Sequence, residues 1–514
     1  MEERKGFGSN FGFLMAAVGS AVGLGNIWGF PNKMGASGGF TFLLIYLVLA
    51  VCCGFIVMVG ELAIGRKTGK GAVAAYHALS KKFKWMGWMG ILSAFFILFF
   101  YCALGGYCIK YVVLNVGDLF GAGFGSNGMT GAEIFGAFMS NPAESIIYGL
   151  IFVAITMVIV MGGIGGGIEK VCSIGMPCLF VALIICIIRA LTLPGAVDGL
   201  KYMFVPGWAV ANGVIAEAPS FFNVLSTAGG QMFFSLSLAM GVMITYGSYL
   251  DKKENLVKNA AVIVFADTAV ALMAGLAVIP AAVATYGPSA ALSGPKLLFI
   301  TLQDVFQTMG SVGSLFGVIF YLLVLVAAIS SAISLVEVVV TFFMDRAAAK
   351  GKTGSRSRVV LLVCLAIMVE ATIVAVDGLG SNGVWVPFQN SLGVVGSFND
   401  CWLDFMDCLS EGLAMPLGAL LMSIMVRWEI GSKTVLEEIH QGNSVKWVDG
   451  FLTFCLMFVV PLAMAFILGG QIGDYFSTSE RSMYGVGYGV GAFVVVAAWL
   501  AAFTSPKRKA RKGK

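Results

Sequence analysis

The chain has 514 residues, of which 59% are hydrophobic and only 11% charged, with a formal net charge of +5. Soluble domains carry about 25% charged residues, so this composition excludes a soluble globular domain and indicates an integral membrane protein. The positive balance lies partly in the tail Lys507–Lys514, which reads as membrane topology rather than as a nucleic-acid surface.

A span needs about 20 mainly apolar residues. Such runs lie at about 11–33, 39–65, 86–115, 145–164, 171–190, 224–250, 257–286, 309–345, 358–377, 400–428, 447–470 and 483–504. Lys and Arg sort into alternate loops: Arg4 and Lys5, Arg66 to Lys84, Lys170, Lys252 to Lys258, Arg346 to Arg358, Arg427 with Lys433, and the tail. The loops Gly117–Pro142 and Val376–Asp400 carry none. This bias predicts an even number of spans, twelve, with both termini cytoplasmic in a multi-pass plasma-membrane protein. No cleavable leader is expected after Glu2-Glu-Arg-Lys5, and no solvated domain or linker is apparent. The eleven cysteines lack CxxC spacing and read as small, reduced, buried residues.

Two spans are interrupted. The first contains Gly19-Ser-Ala-Val-Gly-Leu-Gly-Asn-Ile-Trp-Gly-Phe-Pro31, with four glycines, a serine, an asparagine and a proline where lipid should be. A backbone that leaves its helical ladder in a bilayer strands polar groups at several kcal/mol each. It is tolerated where the freed groups face an ion or polar ligand. The alternative is a small-residue packing face between helices. The sixth span repeats the pattern in Gly229-Gly-Gln-Met-Phe-Phe-Ser-Leu-Ser-Leu-Ala-Met-Gly241. Breaks five spans apart suit an inverted repeat, about 11–190 and 224–428, with a site at the interface and two further helices at about 447–504. The whole chain, 1–514, reads as one transmembrane domain.

Longer motifs give these patterns a family. Gly19–Pro31, GELAIGR at Gly60–Arg66, GIEKVCSIGMPCLF from Gly167, LPGAVDGLKYMFVP from Leu193, QMFFSLSLAMG from Gln231 and AAISSAISLVE from Ala327 stand in order along the chain. Together they resemble the neurotransmitter:sodium symporter family of bacterial type, from about residue 4 to 470. The resemblance implies an all-α membrane protein with the LeuT fold: twelve helices, a 5+5 inverted repeat and broken helices 1 and 6. It also implies sodium-coupled import of a neutral amino acid by alternating access. Another solute such as an amine, or a substrate sensor without turnover, stays open as an alternative.

The resemblance also carries roles residue by residue. One sodium site would use carbonyls of Gly19, Val22 and Ala327 with the hydroxyls of Ser330 and Ser331. A second would use the Ala21 carbonyl, Asn26, Ser235, Asp267 and the substrate carboxylate, which couples ion and substrate affinity. The carboxylate would meet amides near Leu24 and Gly25 at a half-helix N-terminus, and the Tyr101 hydroxyl. The amino group would rest on Ala21, Phe234 and Ser237, with Ser20 where relatives often have asparagine or aspartate. Ile97, Phe234, Met240, Ser331 and Leu335 would receive an apolar or small side chain. Asp267 replaces the usual asparagine and would supply the negative charge otherwise brought by chloride; a protonated structural aspartate is the alternative. Chloride is then not required.

Gating residues follow in the same way. Arg4 and Asp345 would close the cytoplasmic side, with Phe7 in place of tryptophan and Ser248, Tyr249 and Glu337 in the same network. On the outer side the family's arginine is Gly29, while its aspartate partner is kept as Asp407. Either Lys33, one turn on, or water filling the gap would take the arginine's place. Tyr101 and Phe234 form the lid. The glycines near Gly65 lack phosphate-loop spacing, and His77 and His440 have no local ligand companions, so no enzyme site is expected.

Overall fold

Inside a bilayer each peptide group must find its partner within its own segment, and the helix is the local solution. The computed structural model describes residues 6–123, 128–287, 297–352, 354–388, 397–441, 447–478 and 481–505, and every regular element among them is helical. Helices stand at each of the twelve expected places. Ten of them are long and apolar enough to cross a membrane, or eleven if one bent pair is a single span.

That bent pair is α1 (Asn10–Ala21) and α2 (Gly25–Ala36), which meet at 45°. There follow α3 (Phe40–Thr68), α4 (Met86–Leu119), α5 (Pro142–Met161) and α6 (Ile164–Leu191). The sixth expected span is two short helices, α7 (Phe221–Ser235) and α8 (Val242–Gly247). Beyond them run α9 (Leu256–Tyr286), α10 (Gly313–Ala349), α11 (Arg356–Asp377), α12 (Trp402–Gly431), α13 (Val448–Phe476) and α14 (Tyr484–Phe503). Short helices at Ala196–Phe204 and Trp208–Ala211 precede α7, and Leu302–Thr308 precedes α10.

The helices pack in two linked groups. α10 lies along α4, and α5 packs against both α4 and α11; α8 rests on α3, and α13 on α12 and α14. The α4–α5 crossing depends on small residues: a Cβ at Gly106 would come within 2.8 Å of Gly149 Cα. Such close backbone approach replaces the hydrophobic drive that lipid removes.

The two interruptions differ in geometry. At the first, Val22 is extended (φ −74°, ψ 101°), and helix resumes at Gly25 with a wide turn, Gly25–Gly29. At the second, residues 236–241 cross between α7 and α8 with positive φ at Ser237 (52°), Ala239 (61°) and Gly241 (80°).

Candidate functional site

The two breaks face each other across a small cavity. It has a volume of about 20 Å³ and is lined by Ser20, Ala21, Gly23 and Gly25 from the first break, and by Phe234, Ser237 and Met240 from the second. Ile97 and Tyr101 of α4 and Ser331 and Leu335 of α10 complete it. No charged side chain is among these lining residues. The substrate-binding set expected from the sequence is thus brought together, except that Leu24 and Ser235 are not part of the lining.

Leu24 and Ser235 have other engagements. The Leu24 amide donates to the Tyr101 hydroxyl at 3.1 Å, and the Gly23 amide to Asn26 Oδ1 at 3.0 Å. Both amides belong to the segment entering α2, where freed N–H groups and the helix dipole favour an anion. Ser235 turns to Asp267, donating to both carboxylate oxygens at 2.9 and 3.0 Å. Gly25 sits tight against the lid: a Cβ there would lie 2.9 Å from Phe234 Cδ1.

Asp267 joins the two breaks. Asn26 Nδ2 donates to its Oδ1 at 2.7 Å and to its carbonyl at 3.0 Å, and the Tyr46 hydroxyl reaches Oδ2 at 3.3 Å. Asn26, Ser235 and Asp267 are fully buried. Three of the four residues expected at one ion site therefore form one cluster. Gln231 lies alongside, donating to the Gly25 carbonyl at 2.6 Å. At the other expected ion site, the Ser331 hydroxyl donates to the carbonyls of Ser20 (3.1 Å) and Gly19 (3.4 Å), and the Ser330 hydroxyl to that of Ala327 (2.9 Å). Val22, the remaining member, is the extended residue closing α1. Both clusters are rich in hard oxygen atoms, the ligand type an alkali cation requires. Ser20 and Ser334 share a hydroxyl–hydroxyl bond at 2.7 Å behind the cavity, and the Ser237 hydroxyl donates to the Ser20 carbonyl at 2.9 Å.

On the cytoplasmic side of the proposed topology, Glu337 is the centre of a buried network. Arg356 donates to it at 2.5 and 3.1 Å and also to the Val160 carbonyl, and Tyr249 donates at 2.9 Å. Phe7 packs edge-on against Phe13, Tyr246 and Tyr249. Asp345 accepts from the Gly71 amide at 2.8 Å, and the Ser248 hydroxyl donates to the Thr245 carbonyl. Arg4 lies outside the described residues.

The outer side departs from the sequence-based expectation. Lys33 forms its ion pair with Glu411, not with Asp407. Asp407 is instead held by the Tyr475 hydroxyl at 2.7 Å. The two carboxylates are one helical turn apart on α12, and Tyr475 of α13 occupies the first. Phe234 and Tyr101 both line the cavity beneath.

Sequence reasoning missed several participants. Glu61, almost fully buried, accepts from the Ala239 amide at 2.9 Å and so holds the second break. Glu169 accepts from the Gly8 amide and the Ser9 hydroxyl at the start of α1. Arg356 and Glu411 supply partners for Glu337 and Lys33. An ionisable residue inside a span is a functional candidate by default, and that rule alone would have marked Glu61 and Glu411.

Comparison with known proteins agrees with this arrangement. A model of the sodium:neurotransmitter symporter family matches residues 4–119 and 141–505. YhdH of Bacillus subtilis, an uncharacterized sodium-dependent transporter, is 35% identical over 474 residues, covering 90% of this chain and 97% of its own. An uncharacterized sodium-dependent transporter of Methanocaldococcus jannaschii is 29% identical over 533 residues, 99% of each chain. The crystal structure of MhsT in complex with L-phenylalanine matches with a TM-score of 0.77 at 32% identity, covering 91% of this chain and all of that one. The protein therefore belongs to the sodium:neurotransmitter symporter family and is a sodium-dependent membrane transporter of LeuT fold, not an enzyme.

Proposed function

We propose that the protein imports a neutral amino acid with an apolar or small side chain by sodium symport, without a requirement for chloride. The observation that carries this reading is the Asp267 carboxylate, bonded to Asn26 of the first break and Ser235 of the second. A fixed negative charge at that junction balances a bound cation in the absence of a mobile anion. The adjoining cavity offers amides and hydroxyls for a zwitterion's ends, and lining side chains without charge for its side chain. The bound L-phenylalanine of MhsT, a similar protein, supports the same substrate class.

One sodium site would comprise Gly19, Val22, Ala327, Ser330 and Ser331, and the other Ala21, Asn26, Ser235, Asp267 and the substrate carboxylate. With both termini cytoplasmic in the plasma membrane, each net positive charge moved inward gains about 2.3 kcal/mol per 100 mV. One or two sodium ions per cycle then suffice to concentrate a zwitterion. Lys33–Glu411 would close the outer side, and Glu337 with Tyr249 and Arg356, beside Asp345 and Arg4, the inner one.

The test is uptake of radiolabelled amino acids into proteoliposomes, run in sodium or potassium and in chloride or gluconate. Sodium-driven uptake of one neutral amino acid, equal in chloride and gluconate, is the expected result. Asp267→Asn should make that uptake depend on chloride. A chloride requirement in the wild type would remove the role given to Asp267, and uptake indifferent to sodium would remove the coupling scheme.

A further inference from the structure

At the far end of α12 an arginine stands without a counter-ion among the described residues. Arg427 is half-buried, and its Nε is enclosed with no hydrogen-bond partner among the described residues. One Nη meets only the Met457 sulfur of α13 at 3.6 Å, and the guanidinium lies 5.1 Å from the ring of Trp428. The C-terminal end of α12 favours a cation through its dipole, but this leaves Nε without an acceptor. A half-buried guanidinium whose enclosed Nε has no acceptor is costly. Nearby carboxylate Glu429 is already taken, accepting from Ser80 at 2.7 Å and Ser505 at 2.6 Å.

The surroundings point to lipid. Trp428 packs on Trp499 (5.3 Å) and Phe503 (5.4 Å) of α14. Phe454 and Phe458 of α13 and Trp499 and Leu500 of α14 are exposed apolar side chains on the flanking helices. Lys82 donates to Thr504 at 2.6 Å, bringing a second cation to the end of α14. Ser505, pinned on Glu429, is followed in sequence by the basic residues from Lys507 to Lys514.

We propose that Arg427 binds the phosphate of an anionic phospholipid where α12, α13 and α14 meet, with Lys82 adding attraction. The guanidinium's two Nη groups are the donors open to a phosphate, Trp428 and Trp499 beside them are of the type that favours a membrane–water interface, and the acyl chains would run along the exposed apolar faces. The cytoplasmic leaflet is the anionic one, which rests on the topology proposed above. The site itself does not depend on that topology.

The test is native mass spectrometry of the full-length protein, titrated with phosphatidylglycerol or phosphatidylcholine. Wild type should retain one phosphatidylglycerol under conditions that strip phosphatidylcholine. Arg427→Gln should weaken that retention roughly five- to tenfold, and Arg427→Lys by less, since it keeps the charge and loses the fork. Unchanged melting in phosphatidylcholine micelles establishes that each variant is folded, and the lysine variant carries the comparison if the glutamine variant is not. Equal retention by Arg427→Gln, equal retention of both lipids, or loss on deleting residues 507–514 alone would overturn the proposal. So would stabilisation by millimolar inorganic phosphate equal to that by phosphatidylglycerol, which would assign a free-anion site. None of these readouts requires transport.

Discussion

The two helix breaks solve the same problem by opposite means. The first is short and takes its partners from neutral side chains: Asn26 for the Gly23 amide and the Tyr101 hydroxyl for that of Leu24. The second is twice as long, turns through left-handed backbone at Ser237 and Ala239, and is anchored by a buried carboxylate, Glu61, on the Ala239 amide. A hydrogen bond of either kind contributes about 0.5–1.5 kcal/mol net, and the difference lies in place: Tyr101 lines the cavity, whereas Glu61 reaches the second break from α3. The first break is therefore the face that can exchange partners with a ligand, and the second is the frame it moves against.

Removing the anchor should have the largest effect. Glu61→Ala leaves the Ala239 amide buried and unpaired at about 1–3 kcal/mol, so uptake should fall about fivefold or more with a lower melting temperature. Glu61→Gln still offers an acceptor oxygen and should keep most activity. Wild-type uptake by Glu61→Ala would show that the second break holds itself. Next comes Gly25→Ala, which places a methyl 2.9 Å from Phe234 Cδ1. Overpacking of this kind costs about 1–3 kcal/mol, and it falls on the lid, so equilibrium binding of the transported amino acid should weaken roughly five- to a hundredfold. A smaller loss is expected for Tyr101→Phe, which removes the acceptor for the Leu24 amide while keeping the ring. Binding should weaken about two- to twelvefold with the fold intact by circular dichroism, and an unchanged affinity would mean that water replaces the hydroxyl.

How far the sequence revealed these features follows from the same contrast. The first break was legible because glycines, Asn26 and Pro31 announce themselves inside an apolar run. The second was legible as an interruption but not in its geometry: Ser237 and Ala239 carry left-handed backbone that L-residues ordinarily avoid, and nothing local encodes it. Its anchor lies 178 residues away in α3. The outer ion pair was left open for a related reason. Reading by register offered Lys33 or water for Asp407; Tyr475, 68 residues further on, bonds that carboxylate, and Lys33 pairs with Glu411. Glu337 was singled out from its position, whereas its partner Arg356 looked like one of many loop cations. Periodicity and composition specify helices; tertiary partners decide which charge meets which.

The smallest effect tests whether the second break is strained as well as anchored. Ala239 at φ 61° carries the steric penalty of an L-residue in left-handed backbone, about 1–2 kcal/mol. Glycine removes that penalty but gives back about 0.5–1 kcal/mol of unfolded-chain entropy. It also deletes a methyl that, together with Met89 Cε, faces Gly418 of α12. Ala239→Gly should accordingly be neutral to slightly stabilising, with a melting shift no larger than about 2 °C. A clear loss of stability would mean that the methyl contact with α12, more than the backbone, sets this residue. Combined with Glu61→Ala the substitution should recover part of the lost stability, because a relaxed backbone asks less of its anchor. Strictly additive effects in that double mutant would separate the two and leave Glu61 holding the amide alone, with no strain behind it.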